Sequence, residues 1–203
     1  GSGAFLPLDK FGIPAEIPVS DVVKKGPDII LFSGDKMLGG PQSGIILASR
    51  KIIDIIKSNS IYRTVRCDKI TIVMLDEIIS SYRKHGFSNL NLTLSLLTST
   101  RADLEKMGKS IVNNISSKTI QMLGLSIENS LVEAGSGSLP EKNIESVALK
   151  FDSSEFSANK LSLFFKKGKI PIIGYIHKDS FYIDLKAILP SQVSKIIKAI
   201  NNI

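Results

Sequence analysis

Two short apolar runs on either side of a turn-rich loop constrain the fold of this chain more than any other feature. Residues 29–32 precede the loop and residues 45–47 follow it. A short, continuous apolar run bounded by turn signals is typical of a strand that is buried in a parallel sheet. The sequence therefore predicts strands over 28–33 and 44–48 of the kind found in parallel sheets, in an α/β architecture.

The rest of the pattern divides the chain into two halves. In the first half, the sequence predicts helices over 19–25, 49–58 and 68–84, the last as a bridge to the second half. The second half is predicted to contain helices over 100–116, 158–166 and 191–200, and strands over 130–134, 146–150, 172–177 and 180–185. This order favours a small α+β domain that covers an antiparallel sheet, with a hairpin through Lys178 and Asp179. We expect residues 1–84 to be the last part of one domain and residues 85–203 to form a second domain.

Composition and charge restrict the classes of function. No apolar run approaches the roughly 18 residues of a membrane span, and we expect no membrane association. The single cysteine, Cys67, excludes an internal disulfide and fits a reducing cytoplasm. His85 and His177 have no Cys or acidic neighbours at ligand spacing, so we expect no metal site. The net charge of +7 favours acidic partners such as phosphates or RNA, although the lysines are scattered and never occur more than two in a row.

Lys36 is the candidate catalytic residue, because it lies in the loop that leaves the first predicted strand. Burial at this position disfavours the charged form of a lysine, and a neutral amine can form a Schiff base, as pyridoxal phosphate requires. Asp35 can orient the amine, and the Ser33 hydroxyl can donate to a cofactor phosphate. Ordinary alternatives remain: Lys36 as a solvated charge and Ser33 as a cap of the loop backbone.

Arg63 and Arg66 form a second candidate site. They are three residues apart, so they share one face of a helical or turn segment. Two guanidinium groups on one face can clamp a phosphate or carboxylate, because their donor geometry matches these anions. Spacing alone equally fits an exposed basic patch.

The loop carries a family resemblance that is long and specific. Residues 32–44, Phe-Ser-Gly-Asp-Lys-Met-Leu-Gly-Gly-Pro-Gln-Ser-Gly, resemble the cofactor-lysine segment of the bacterial selenocysteine synthases, which are fold-type-I pyridoxal-phosphate enzymes. Residues 62–69 are similar to the Arg-x-x-Arg-x-Asp-Lys stretch of that family, and the resemblance continues at 135–140, 171–174 and 184–185. It spans nearly the whole chain. It implies that residues 1–84 are the C-terminal part of the cofactor-binding large domain, whose sheet is mostly parallel, with the bridging helix. It also implies that residues 85–203 are the small α+β domain.

The resemblance also implies roles for the candidate residues. Lys36 would hold pyridoxal 5'-phosphate as a Schiff base and then act as the base at the α-carbon of seryl-tRNA(Sec). Asp35 matches an active-site acid, while Arg63 and Arg66 match arginines expected at the site of the anionic selenium donor, selenophosphate. The implied setting is a cytoplasmic homo-oligomer engaged in selenocysteine biosynthesis.

Three further expectations follow from the resemblance. Family members are longer, and residues 1–3 match part of an internal Asp-Leu-Gly-Ser-Gly stretch, so we expect this chain to be a C-terminal portion with little activity alone. Tyr175 and Lys186 stand where we expect arginine in the family. Two alternatives stay open: a related pyridoxal-phosphate lyase for a small amino-sugar or amino-acid substrate, and a non-catalytic truncated remnant.

Overall fold

The computed structural model describes residues 1–11, 13, 17–84, 91–133 and 143–203. The chain divides into two compact units. The first comprises Gly1–Thr98 with Glu133–Lys142, and the second comprises Ser99–Val132 with Asn143–Ile203. The assignment of 1–84 and 85–203 to a cofactor-binding domain and a small domain stays a prediction. His85 and the resembling stretch at 135–140 lie outside the described residues.

The first unit combines helices with one strand pair. Its described elements are a 3-10 helix (Leu8–Phe11), α1 (Val19–Lys24), β1 (Ile29–Ser33), β2 (Gly44–Ala48), α2 (Arg50–Ser58), α3 (Ser60–Val65), α4 (Lys69–Lys84) and α5 (Leu92–Leu97). The predicted helices over 19–25, 49–58 and 68–84 are confirmed. The six-residue helices α3 and α5 were not predicted, because each is too short for a helical period to stand out; Asn side chains at 59 and 91 cap their first turns.

The strands β1 and β2 pair in antiparallel fashion, with Ser33 opposite Gly44. The prediction of strands buried in a parallel sheet is therefore wrong for this pair. Only residues 34–43 join the strands, and a parallel crossover needs about a dozen residues or more. The strands are also less buried than their composition suggests, since Leu31 is 60% exposed. The mostly parallel sheet that the family resemblance implies stays a prediction.

The second unit is the predicted α+β arrangement. Its sheet has the order β3 (Leu125–Glu133), β4 (Asn143–Phe151), β6 (Ser180–Asp184) and β5 (Tyr175–His177), and its helices are α6 (Arg101–Val112), α7 (Ser117–Leu123), α8 (Ala158–Lys167) and α9 (Val193–Asn201). β6 pairs antiparallel with both β4 and β5, which confirms the antiparallel sheet. The hairpin turn is confirmed at Lys178 and Asp179, both with positive φ as a tight two-residue turn requires.

The core of the second unit follows from the alternation of its strands. Leu149 and Phe151 on β4 and Ile183 on β6 point to one face, where α6, α8 and α9 supply the opposing apolar side chains. Phe165 of α8 stacks on Phe181 with ring centroids 5.4 Å apart. The predicted helix over 100–116 is confirmed only as far as Val112, where α6 ends. The separate helix α7 was not predicted; Ser116 caps its start by accepting a hydrogen bond from the Thr119 N–H.

Candidate functional site

The loop between β1 and β2 is folded back on itself by three backbone hydrogen bonds. The Gly34 N–H donates to the Ser43 carbonyl (2.8 Å), and the Gly40 N–H donates to the Gly34 carbonyl (2.8 Å). The Gly39 N–H donates to the Lys36 carbonyl (3.0 Å) and closes a turn over residues 36–39. Lys36 is therefore the first residue of a tight turn on a closed loop.

The segment at residues 1–3 holds the loop from a second side. The Ser33 N–H donates to the Gly1 carbonyl (3.0 Å), and the Met37 N–H donates to the Ser2 carbonyl (3.0 Å). Gly3 has a φ of 80°, and a Cβ at this position would overlap the Ser33 carbonyl oxygen. Only glycine allows this close approach, so the segment fixes the backbone on both sides of Lys36.

The three candidate residues of the loop differ in burial. Asp35 is exposed, whereas Ser33 and Lys36 are half-buried. The next two side chains, Met37 and Leu38, are buried and anchor the loop in the first unit. Lys36 thus lies at the boundary between an exposed acid and an apolar anchor, with part of its side chain open to solvent.

A broad groove of about 1530 Å³ lies beside this loop in the first unit. Its walls come from β1, β2, the end of α2, α3 and the start of α4. Three predicted site residues line it, namely Ser33, Arg63 and Arg66, whereas Lys36 and Asp35 do not. The structure therefore brings the serine and the two arginines together at the groove, and it places the lysine on the adjoining loop.

The two arginines reach the groove from different backbone positions. Arg63 lies within α3, while Arg66 follows the end of that helix with an extended backbone (φ −65°, ψ 138°). Both are exposed, and neither forms an ion pair with a carboxylate of the described residues. The nearby Asp68 is engaged elsewhere: its carboxylate accepts the Thr71 N–H at 2.8 Å, and this hydrogen bond lowers its pKa. The arginine donors thus face the groove available for an anion.

One aliphatic side chain belongs to both the groove and the loop. Leu75 of α4 lines the groove. Its Cδ2 atom would lie 3.2 Å from a Cβ placed at Gly34 and 3.2 Å from a Cβ placed at Gly40. The base of the lysine loop therefore packs directly against a wall of the groove.

Sequence reasoning missed Tyr82 and Asn91, which contact the loop from α4 and from the N-terminus of α5. The Asn91 side-chain amide donates to the Leu38 carbonyl at 2.7 Å, and the Tyr82 hydroxyl donates to the same oxygen at 3.0 Å. Both contacts join residues more than 40 positions apart in the chain. No local spacing pattern signals such a contact, so only the tertiary structure could reveal it.

In the second unit, Lys186 and Tyr175 have distinct surroundings. Lys186 is only 6% exposed, and its Nζ donates to the Ser99 carbonyl at 3.0 Å. Burial lowers the pKa of its amine, and the charges of Asp184 and Glu145 partly oppose this effect. Tyr175, on the edge strand, stacks on Tyr182 with centroids 5.2 Å apart. Lys186 thus makes a structural hydrogen bond from a buried position, whereas the stacked ring of Tyr175 is partly exposed.

Comparison with known sequences decides the family. A family model described as L-seryl-tRNA selenium transferase matches residues 1–189. The chain belongs to this family. The L-seryl-tRNA(Sec) selenium transferase of Alkaliphilus oremlandii is 33% identical over 204 residues, which cover 100% of this chain and 44% of the relative. The enzyme of the same name from Desulfotalea psychrophila is 32% identical over 194 residues, covering 95% of this chain and 42% of the relative.

The match confirms the family predicted from the loop and arginine segments, and it extends well beyond them. The chain spans less than half the length of these curated relatives. Within the described ranges, no helix is both long and apolar enough to cross a membrane. The same ranges contain no group of three or more His, Cys, Asp or Glu side chains placed to hold a metal ion.

Proposed function

We propose that this chain is part of a pyridoxal-phosphate-dependent enzyme that converts seryl-tRNA(Sec) to selenocysteinyl-tRNA(Sec) with selenophosphate as the selenium donor. The observation that carries the proposal is the family match over residues 1–189, which includes the lysine loop and both arginines. In the overall reaction the seryl hydroxyl leaves as water, the selenium of selenophosphate bonds to the β-carbon, and water cleaves the selenium–phosphorus bond to release phosphate.

The residues of the loop fit pyridoxal 5'-phosphate. Lys36 offers a half-buried primary amine for the cofactor aldehyde, and Ser33 offers a hydroxyl that can donate to its phosphate. The absence of side chains at Gly34 and Gly40 lets the base of the loop close tightly. When bound, the cofactor withdraws electrons from the α-carbon of the attached amino acid. Lys36 would then take the proton from that carbon, and Asp35 would orient the amine.

The arginine pair fits the anionic donor. Selenophosphate carries several negative charges, and guanidinium groups bind tetrahedral oxyanions through paired hydrogen bonds. Arg63 and Arg66 line one groove together with Ser33, and Leu75 links that groove to the loop of Lys36. This arrangement supports delivery of the selenium donor from the side of the loop that faces the groove.

The proposed setting is a cytoplasmic homo-oligomer, whose large domain contains the mostly parallel sheet of the family. Exposed apolar side chains on the first unit support self-association, because large apolar patches mark interfaces. Val65 is 70% exposed, Ile70 is 73% exposed and Val73 is 67% exposed, and all three lie on α3 or α4.

Reductive trapping tests the central assignment. The chain, alone and mixed with the remaining portion of a curated relative, would be incubated with pyridoxal phosphate, reduced with borohydride and mapped by peptide mass spectrometry. We expect one label, on Lys36, which Lys36→Ala removes and the exposed-lysine control Lys57→Ala does not. Label spread over surface lysines in both preparations would overturn the cofactor assignment and favour a non-catalytic remnant. Specific label with turnover of a small amino acid, and none of seryl-tRNA, would favour the lyase alternative.

A further inference from the structure

We propose that Asn91 and Tyr82 are positioning residues that hold Lys36 in its reactive place by clamping the carbonyl of Leu38. The inference rests on the proposed role of Lys36. Neither residue belongs to the loop, and neither touches the groove that holds the arginines. Their hydrogen bonds to the Leu38 carbonyl act on the lysine through the loop backbone.

The clamp consists of three hydrogen bonds around one oxygen atom. Asn91 Nδ2 donates to the Leu38 carbonyl at 2.7 Å and to the Tyr82 hydroxyl oxygen at 2.9 Å. The Tyr82 hydroxyl donates to the Leu38 carbonyl at 3.0 Å. Both lone pairs of the carbonyl are thereby used, and both amide protons of Asn91 have acceptors.

The donors are themselves fixed. Asn91 is only 1% exposed, and its Oδ1 accepts the Leu94 N–H at 3.0 Å, which ties the amide to the start of α5. Burial raises the pKa of Tyr82 to about 12, so its hydroxyl keeps its proton and remains a donor at moderately alkaline pH as well as at neutral pH. A functional group supported by rigid elements is held more precisely than one supported by a loop alone.

The clamped carbonyl is two residues from Lys36 and lies within the turn over residues 36–39. Leu38 itself is fully buried, and the following Gly39 has a φ of 76°. A Cβ at Gly39 would overlap the Asn91 side-chain amide, so the turn and the clamp fit each other only with glycine here. A displacement of about 1 Å at a reacting group costs about 100-fold in rate, so a support this close to the lysine bears on its reactivity.

Asn91→Asp is the decisive variant. It keeps the size of the side chain and an acceptor for Leu94, but it removes both donors and sets a carboxylate against the Leu38 carbonyl. The matched control is Asn114→Asp, which removes an amide donor from the exposed Ser110 carbonyl (2.8 Å) in the second unit. Two readouts apply to the full chain: hydrogen exchange of the Gly39 amide, and the rate of borohydride-trappable labelling of Lys36 at saturating pyridoxal phosphate.

We expect Asn91→Asp to speed exchange of the Gly39 amide about tenfold or more, since two hydrogen bonds are lost. We also expect it to lower the maximal labelling rate at least about tenfold, with the reactive fraction and the half-saturating concentration unchanged. Asn114→Asp should change neither quantity. A lower reactive fraction with an unchanged rate constant would show a merely structural role and overturn the proposal, as would unchanged exchange at Gly39.

Tyr82→Phe keeps the inference testable if Asn91→Asp fails to fold. It removes one donor and no carbon atoms, and we expect a change of a few-fold in both readouts in the same directions; no change in either would contradict the clamp. If the unsubstituted chain shows no specific label on Lys36, either alone or mixed with the remaining portion of a curated relative, the cofactor assignment fails. The exchange of the Gly39 amide still decides whether the clamp exists.

Discussion

Two glycines that each adopt a left-handed backbone conformation provide the sharpest test of how the loop is held, because only one of them contacts the clamp. Gly26 has a φ of 71° and Gly39 a φ of 76°. A Cβ at Gly26 would meet nothing within 4 Å, whereas a Cβ at Gly39 would overlap the amide of Asn91. The two alanine variants therefore carry the same backbone cost and differ only in what the new methyl group displaces.

The expected magnitudes follow from this difference. Gly26→Ala should lower the free energy of unfolding by about 1–2 kcal/mol, the cost of a left-handed conformation for an L-residue. Gly39→Ala adds the displacement of Asn91, which leaves the buried carbonyl of Leu38 short of a donor at a cost of about 1–3 kcal/mol. The total for Gly39→Ala is therefore about 2–5 kcal/mol.

Urea unfolding followed by circular dichroism measures both values, with the midpoint compared at constant m. Peptide-resolved hydrogen exchange then assigns the loss to the first unit. Equal destabilisation by the two substitutions would refute the reasoning, because it would mean that Asn91 moves aside without loss and does not hold the turn.

Two further predictions concern charge. Arg63→Ala should weaken the binding of inorganic phosphate about 10- to 100-fold, since it removes charge-assisted hydrogen bonds at the groove. Calorimetric titration measures the change, and Arg50→Ala, at a surface arginine paired with Asp54, serves as the control. Equal phosphate affinity in the unsubstituted chain and both variants would contradict the anion site. Lys186 has its pKa lowered by burial from the ordinary 10.5, so the unfolded chain binds more protons than the folded chain between the lowered value and 10.5, and stability should rise with pH in that window. Urea midpoints across the window should show this slope for the unsubstituted protein and lose it in Lys186→Met; a slope that persists in the variant would assign it to another group.

The sequence was sufficient for elements whose signals are local. The helix over 68–84 depends on apolar residues three or four positions apart, and the hairpin turn at Lys178 and Asp179 depends on adjacent residues; both were predicted correctly. The family match likewise rests on a contiguous segment around Lys36, which needs no tertiary knowledge.

Pairing and long-range contacts were not accessible in the same way. The apolar composition of residues 29–32 led to the prediction of a parallel sheet, although it also fits an antiparallel pair. The short connection over 34–43 is what makes the pair antiparallel. The clamp on Leu38 was invisible, because an asparagine 53 positions away carries no spacing signal. The positions of Ser33 and the arginines on one groove are likewise a product of how α3 and α4 pack beside β1.

The contact of Leu75 with the loop bears on the width of the groove, because the same side chain lines one of its walls. A side chain at Gly34 or Gly40 would push the Leu75 methyl group away from the loop, because the new Cβ would lie only 3.2 Å from Leu75 Cδ2 at either position. Because Leu75 lines the groove, the displaced side chain would take up space there. The two glycines therefore act as spacers: they let the loop lie close to Leu75 without forcing that side chain further into the groove where we propose that a tetrahedral anion binds.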